Sequence, residues 1–127
     1  MPQAPQKPAF APARVLALPG GGKLIFCSGV TARGSAAEGG SVEAQADECF
    51  SRLARALAAE GASFVDLLKI NTYLGDMRHY GGFDAARRRA MEGLETPPAS
   101  TCVGGAQFTT TTCCIEIEGI AALAEPE

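Results

Sequence analysis

Apolar residues recur between Ser41 and Gly61 at the spacing of a helix. Charged side chains occupy the positions between the apolar ones, Ser41 is a suitable N-cap, Glu43 favours the helix dipole and Gly61 is a suitable stop. The pattern predicts an amphipathic helix of about five turns, one face of which must pack against another layer. Its apolar positions are Val42, Ala46, Cys49, Phe50, Leu53, Ala56 and Leu57.

The segments around this helix are patterned as strands. Two apolar runs on either side of Gly20–Gly22 predict a hairpin, and a later run places Leu68, Ile70, Thr72 and Leu74 on one face. A second helix is predicted from Tyr80 or Phe83 to Glu92, before the break at Pro97–Pro98. The predicted strands cover residues 14–18, 23–30, 67–74, 99–104 and 112–122.

The predicted order of elements is ββ–α–β–α–ββ, which indicates an α+β fold with a mixed sheet packed by two helices. Two helices can cover only one face of the sheet, so the other face must be polar or buried against a partner. We expect a proline-rich extended arm over residues 1–12 and a single domain over residues 13–124.

Composition narrows the classes of function. A chain of 127 residues supports one domain, and a net charge of −3 disfavours nucleic acid as the main partner. No window approaches the roughly 20 apolar residues of a membrane span, and the N-terminal prolines interrupt any signal-peptide core, so we expect a leaderless cytoplasmic protein. The five cysteines fit neither a disulfide scaffold nor a zinc site. Reduced thiols, no metal and no cofactor are expected.

The last predicted strand contains two carboxylates. Alternation places Cys113, Ile115 and Ile117 on one face, and Cys114, Glu116 and Glu118 on the other. Carboxylates two residues apart on a strand lie about 7 Å from each other, a separation that suits acid/base chemistry. Two glutamates that face solvent, or that pair with Lys and Arg on a neighbouring strand, would show the same spacing. The pattern alone leaves both interpretations open.

Several short stretches occur in a characteristic order over about 100 residues. They are Phe26-Cys27-Ser28-Gly29, Gln45, Gly61-Ala62-Ser63, Leu74-Gly75-Asp76-Met77, Pro98-Ala99-Ser100-Thr101-Cys102-Val103 and Ile115-Glu116-Ile117-Glu118-Gly119-Ile120-Ala121. In this order the chain resembles the Rid family, also called the YjgF family, of small deaminases and related proteins. The resemblance implies a chorismate-mutase-like fold and a homotrimer with outer helices, in which clefts between subunits hold a small-molecule ligand. Such a trimer would cover the bare face of the sheet.

The resemblance also implies a set of site residues. Glu116 falls where the family's deaminases have a glutamate that positions or activates water, and Cys102 where they have a pocket cysteine. Ser100 stands where those enzymes carry an arginine that grips a carboxylate, and a serine cannot make that bidentate contact. The predicted catalytic residue is Glu116, and the predicted substrate-binding residues are Ser28, Gly29, Ser100, Thr101, Cys102, Arg14, Asp84 and Arg87.

Two functions follow as hypotheses. The first is an enzyme that hydrolyses or rearranges an imine, an enamine or a similar electrophilic metabolite, without the standard arginine-dependent deamination of 2-imino acids. The second is a non-catalytic ligand-binding or regulatory trimer, which the loss of the arginine favours. RNA cleavage is disfavoured because the chain is acidic and His79 is its single histidine.

Overall fold

The computed structural model describes residues 7–124. The strands are β1 (Ala13–Ala17), β2 (Lys23–Val30), β3 (Leu67–Leu74), β4 (Ala99–Val103) and β5 (Ile115–Leu123), and the helices are α1 (Val42–Ala58) and α2 (Tyr80–Ala90). The predicted α+β class and the order ββ–α–β–α–ββ are confirmed. Short 3₁₀ turns, Phe64–Asp66 and Met77–His79, precede β3 and α2.

The five strands form one mixed sheet in the order β1-β2-β5-β3-β4. All neighbours run antiparallel except β3 and β4, which are parallel because α2 connects them. β5 lies at the centre, between β2 and β3, so the strand that contains Glu116 is held on both sides. The two helices pack on each other and on one face of the sheet, the helix-covered face. The opposite side is the open face.

The core lies between the helices and the helix-covered face. Helix α1 contributes the predicted stripe, and the Ser41 hydroxyl accepts a hydrogen bond from the Ala44 amide as its N-cap. The largest fully buried apolar side chains come from both layers: Phe83, Ile25, Leu53, Leu57, Ile70, Leu74, Ile115 and Ile117. Burial of these apolar side chains between the helices and the sheet is the main driving force that holds the two layers together.

Two details of the prediction were wrong. The last strand begins at Ile115 instead of residue 112, because a turn closed by the Cys113 amide and the Thr110 carbonyl precedes it. Leu68 is exposed, because a register shift between Leu67 and Lys69 turns it away from the core. Strict alternation of side chains along a strand predicts neither such a turn nor such a register shift.

Helix α2 begins at Tyr80, the earlier of the two predicted starts, and its first turn includes Gly81 and Gly82. A Cβ on Gly82 would lie 3.3 Å from the backbone nitrogen of Glu43, so the glycine permits the two helices to approach closely. Residues 7–12 of the expected arm contain no helix or strand, while residues 1–6 lie outside the described part of the chain. No helix between residues 7 and 124 is long and apolar enough to cross a membrane.

Candidate functional site

The central strand β5 presents its carboxylates to the open face. Ile115 and Ile117 are fully buried beneath the helices, whereas Glu116 and Glu118 are half-buried on the other side. The predicted division of this strand into two faces is therefore confirmed for residues 115–118. It was wrong for Cys113 and Cys114, because both precede the strand, Cys113 lines the cavity beside Glu116 and Cys114 packs against the core. In the sheet, Glu116 pairs with Tyr73 of β3 and Glu118 pairs with Asn71, whose amide donates a 3.4 Å hydrogen bond to the Glu118 carboxylate.

A bulge in β2 lies beside Glu116. Between Cys27 and Val30 the strand advances by one residue more than its partner β5. A Cβ on Gly29, inside this bulge, would lie 2.6 Å from Oε2 of Glu116. Position 29 must therefore lack a side chain for the Glu116 carboxylate to occupy its present place. We call Gly29, Tyr73, Glu116 and Glu118 the Glu116 cluster.

Tyr73, Glu116 and Glu118 of the Glu116 cluster border a cavity of about 330 Å³. Its wall is completed by the loop before β5, residues 106–110, together with Thr31 and Cys113. Burial, and secondarily the negative charge of Glu118, raise the pKa of the Glu116 carboxyl. A carboxylate with a raised pKa is a stronger base than an ordinary surface glutamate and suits proton transfer nearer neutral pH.

A second cluster forms between β4 and α2 on the helix-covered side. Ser100 and Cys102 pair with the buried Ile70 and Thr72 of β3, so their side chains face the helix layer. Arg87 reaches down from α2, and its Nη1 donates a 2.9 Å hydrogen bond to the Ser100 hydroxyl. We call Asp84, Arg87, Ser100 and Cys102 the Arg87 cluster.

The guanidinium of Arg87 is held by its neighbours on α2. Its Nη2 donates to the Tyr80 hydroxyl at 2.7 Å and to the Asp84 carboxylate. The same guanidinium stacks on the Phe83 ring, 4.8 Å from the ring centroid. These contacts fix the position of a positive charge beside Ser100.

Cys102 in this cluster is a neutral thiol. Burial raises the pKa of Cys102, and the nearby Arg87 charge opposes that rise without reversing it. A neutral thiol can donate a weak hydrogen bond to a ligand but is a poor nucleophile. In this chain Cys102 packs against the core, so its predicted place in a ligand pocket stays a prediction.

The remaining predicted site residues lie elsewhere. The Ser28 hydroxyl donates to the Ala11 carbonyl at 2.6 Å and so ties the N-terminal segment to β2. Thr101 is on the open face, where it accepts a 2.7 Å hydrogen bond from Lys69. Arg14 is exposed on β1, at the opposite edge of the sheet from Ser100. Within one chain, Arg14 therefore cannot supply the positive charge that position 100 lacks.

The Glu116 cluster and the Arg87 cluster lie on opposite faces of one sheet. The predicted site residues are therefore not united within a single subunit. Sequence reasoning missed Tyr73, because only the register of β3 against β5 places it beside Glu116. Between residues 7 and 124, no three His, Cys, Asp or Glu side chains are arranged to hold a metal ion.

Comparison with solved structures supports the fold. The chain is similar to a putative endoribonuclease L-PSP from Entamoeba histolytica, with 24% identity, coverage of 93% of this chain and 90% of that chain, and a TM-score of 0.76. A putative endoribonuclease from Thermotoga maritima gives 22% identity, 94% and 89% coverage and a TM-score of 0.76. A YjgF family protein from Neisseria meningitidis has 22% identity, with coverage of 96% of this chain and 92% of that chain and a TM-score of 0.74.

No curated protein sequence matches the chain significantly. The model of one protein family, described as Endoribonuclease L-PSP, matches residues 9–123. This match spans both clusters and all five strands. Together with the shared fold, it shows that the chain belongs to the endoribonuclease L-PSP family, also called the YjgF or Rid family.

Proposed function

We propose that this protein is an enzyme that hydrolyses an imine, an enamine or a similar electrophilic small molecule in a cleft between subunits. The observation that carries the proposal is the Glu116 cluster: a half-buried carboxylate with a raised pKa, seated in a glycine bulge at the edge of a cavity. Such a group is suited to take a proton from water.

The reaction follows from the chemistry of a C=N bond. Glu116 accepts a proton from water while the water oxygen attacks the imine carbon, and the C=N electrons move to nitrogen. The proton returns from Glu116 to nitrogen and gives a carbinolamine. Its hydroxyl proton then passes to nitrogen by way of Glu116 as the C–N bond breaks, which releases ammonia and leaves a carbonyl. Imine and water thus give carbonyl compound and ammonia, and Glu116 ends in its starting state.

Self-association is part of this proposal. Since the two clusters lie on opposite faces of the sheet, one ligand can touch both only if they come from different copies of the chain. A homotrimer, in which the open face of one subunit meets the β4 edge of the next, would meet that requirement. Cys102 and Ser100 of one subunit would then line the pocket that contains Glu116 of its neighbour.

The test is an ammonia-release assay on short-lived imines generated in the cuvette, including 2-aminoacrylate. Wild type is expected to accelerate release, and Glu116→Gln to lower kcat by about 10²–10⁴-fold, the usual contribution of a general base. Glu118→Gln is the matched control, since it removes a neighbouring carboxylate on the same strand face; it should lose far less activity. Equal kcat for wild type and Glu116→Gln would remove Glu116 from the mechanism.

A non-catalytic ligand-binding trimer is the second candidate. It is favoured by the opposite placement of the two clusters and by the tight internal pairing of Arg87 with Asp84 and Tyr80. In that case metabolites raise the melting temperature of the protein without turnover, and Glu116→Gln leaves their binding unchanged.

We do not propose RNA cleavage for this protein, although two of the similar solved structures are named as putative endoribonucleases. Glu116 and Glu118 make the open-face cavity acidic, which opposes a phosphate backbone, and His79 is exposed on a turn between β3 and α2. Degradation of RNA by wild type, abolished in Glu116→Gln, would contradict this choice.

A further inference from the structure

The two carboxylates in the cavity beside β5 lack a positively charged partner. Glu116 and Glu118 are half-buried on the same face of the strand, and their spacing of two residues places them about 7 Å from each other. Between residues 7 and 124, neither forms an ion pair with a Lys, Arg or His side chain. Glu118 accepts a 3.4 Å hydrogen bond from the neutral Asn71 amide, which leaves its charge uncompensated.

The surroundings of the cavity supply no compensating charge. None of the described residues that line it is a Lys, Arg or His. Lys69, the cation on the neighbouring strand β3, donates instead to the Thr101 hydroxyl of β4. In the proposed homotrimer the neighbouring subunit would add the uncharged Ser100, while its Arg87 is paired with Asp84. The cavity therefore has an excess of negative charge.

Two groups in the wall respond to this charge. Glu118 is the second cause, after burial, of the raised pKa of Glu116, and more than any other group it raises the pKa of the Tyr73 hydroxyl. A cation between the two carboxylates would relieve their repulsion, and the gain is larger than in bulk water because both are partly withdrawn from solvent. Tyr73 and Phe108 add aromatic side chains to the wall, and aromatic ring faces attract cations.

We propose that Glu118 is the specificity-determining residue of this cavity and that the substrate is a small protonated imine without a carboxylate. The inference rests on the proposed function and names its substrate class. Glu118 holds the positive N–H group, while Glu116 takes the proton from water. A 2-imino carboxylate brings a third negative charge into the cavity, and the repulsion between like charges disfavours it.

The protonated form also suits the reaction, because its carbon is more electrophilic than that of a neutral imine. Water attacks this carbon and gives its proton to Glu116, which converts the iminium ion into a neutral carbinolamine. Glu116 then protonates the nitrogen and takes the hydroxyl proton as the C–N bond breaks and ammonia leaves. Ammonia accepts the proton that remains on Glu116. Iminium ion and water thus give a carbonyl compound and an ammonium ion, and Glu116 ends as a carboxylate.

The binding test uses three probes of nearly the same shape: the cation benzamidinium, the neutral benzamide and the anion benzoate. Each is titrated into the whole ¹⁵N-labelled protein while the backbone amides of Glu116 and Glu118 are followed by NMR. Benzamidinium is expected to bind about tenfold or more tightly than benzamide, the lower end of what a hydrogen bond to a charged group contributes, and benzoate more weakly than benzamide. Equal affinity for benzamidinium and benzamide would overturn the proposal.

Glu118→Gln should bring the affinities for benzamidinium and benzamide together, because it keeps the shape of the side chain and removes its charge. Glu95→Gln is the matched control, since it removes the same charge from an exposed position between α2 and β4, and it should keep the wild-type preference. Persistence of the preference in a folded Glu118→Gln protein would contradict the assignment of Glu118. If this variant fails to fold, turnover by wild type decides the matter.

The turnover test compares the imine formed by oxidation of benzylamine with the imine formed by oxidation of phenylglycine, which differ by one carboxylate. Wild type is expected to hydrolyse the carboxylate-free imine with a kcat/KM about tenfold or more higher. Glu118→Gln should raise KM for this imine with little change in kcat, whereas Glu116→Gln lowers kcat. An equal or higher kcat/KM for the phenylglycine imine would overturn the proposal.

The two proposals can fail separately. Selective binding of benzamidinium that depends on Glu118, in a protein that hydrolyses no imine, would leave the cation site and remove the enzyme. Hydrolysis of both imines at equal kcat/KM would leave the enzyme and remove the cation selectivity.

Discussion

Glu116, the proposed base, has a cost to stability. Since burial raises its pKa in the folded protein, the folded state binds a proton more tightly than the unfolded state does. The free energy of unfolding therefore falls as the pH rises from the ordinary glutamate pKa through the raised value. Ionised Glu116 destabilises the fold, as is common for groups placed for function.

We therefore expect Glu116→Gln to raise the melting temperature at neutral pH while it lowers activity. The side chain is partly solvated, so the gain should be small, about 1–3 °C. Thermal denaturation between pH 4 and 8 measures it, and the difference from wild type should shrink toward the acid end. Glu118→Gln is the comparison variant. A lower melting temperature for Glu116→Gln at pH 7 would contradict the argument.

We expect Gly29 to affect activity through the position of Glu116. In Gly29→Ala the new methyl group would lie 2.6 Å from the Glu116 carboxylate and would displace it. We expect a loss of about tenfold or more in kcat, because a displacement of the base by even 1 Å weakens proton transfer. Gly81→Ala is the control, since nothing lies within 4 Å of its Cβ and alanine favours the helix. Full activity in Gly29→Ala would show that the base tolerates displacement.

At the scale of elements, Gln45 joins α1 to the segment that leads into β5. Its side chain is 1% exposed. Its Nε2 donates to the carbonyls of Gly40 and Thr112, and its Oε1 accepts from the Cys114 amide, each at 3.0–3.1 Å. One buried amide thus satisfies three backbone groups and holds the start of the strand that contains Glu116.

Gln45→Ala is expected to lower the free energy of unfolding by about 2–3 kcal/mol, because buried backbone groups lose their partners. Urea denaturation measures the loss, and hydrogen exchange of the Cys114 amide should accelerate. Ser51→Ala, an exposed substitution on the same helix, should stay within about 0.5 kcal/mol of wild type. A similarly small effect of Gln45→Ala would mean that water replaces the amide without loss.

For the whole molecule, the proposed homotrimer requires an apolar area on the open face. Beside the acidic Glu116 cluster that face exposes Phe26 and Leu16 at 42% and 54%. These two apolar side chains adjoin the half-buried Leu24 and Ile120 on the neighbouring strand positions. An exposed apolar area on a sheet face is typical of an interface between subunits.

Light scattering should give about three times the chain mass of 13.1 kDa at micromolar concentration. Phe26→Glu should shift the mass toward the monomer, because it places a charge in the interface. Val65→Glu, at a position that is 70% exposed on the turn before β3, should leave the mass unchanged. A monomeric wild type would contradict the homotrimer and the shared cleft together.

The two layers of the fold and the two faces of β5 could be predicted from the sequence alone. Those properties depend on the spacing of apolar side chains within single elements, such as the stripe from Val42 to Leu57. The apolar face of each element must be buried in any arrangement of the elements. The N-cap at Ser41 is of the same kind, since its hydrogen bond spans only three residues.

Which candidate site residues meet depends on the tertiary structure. Tyr73 reaches Glu116 through strand register, Gly29 through a bulge, and Arg87 reaches Ser100 across 13 residues between a helix and an edge strand. Each of these contacts joins elements whose mutual placement is set by packing of the whole core. Side-chain periodicity carries no information on that placement, because the same pattern is compatible with many registers and crossing geometries.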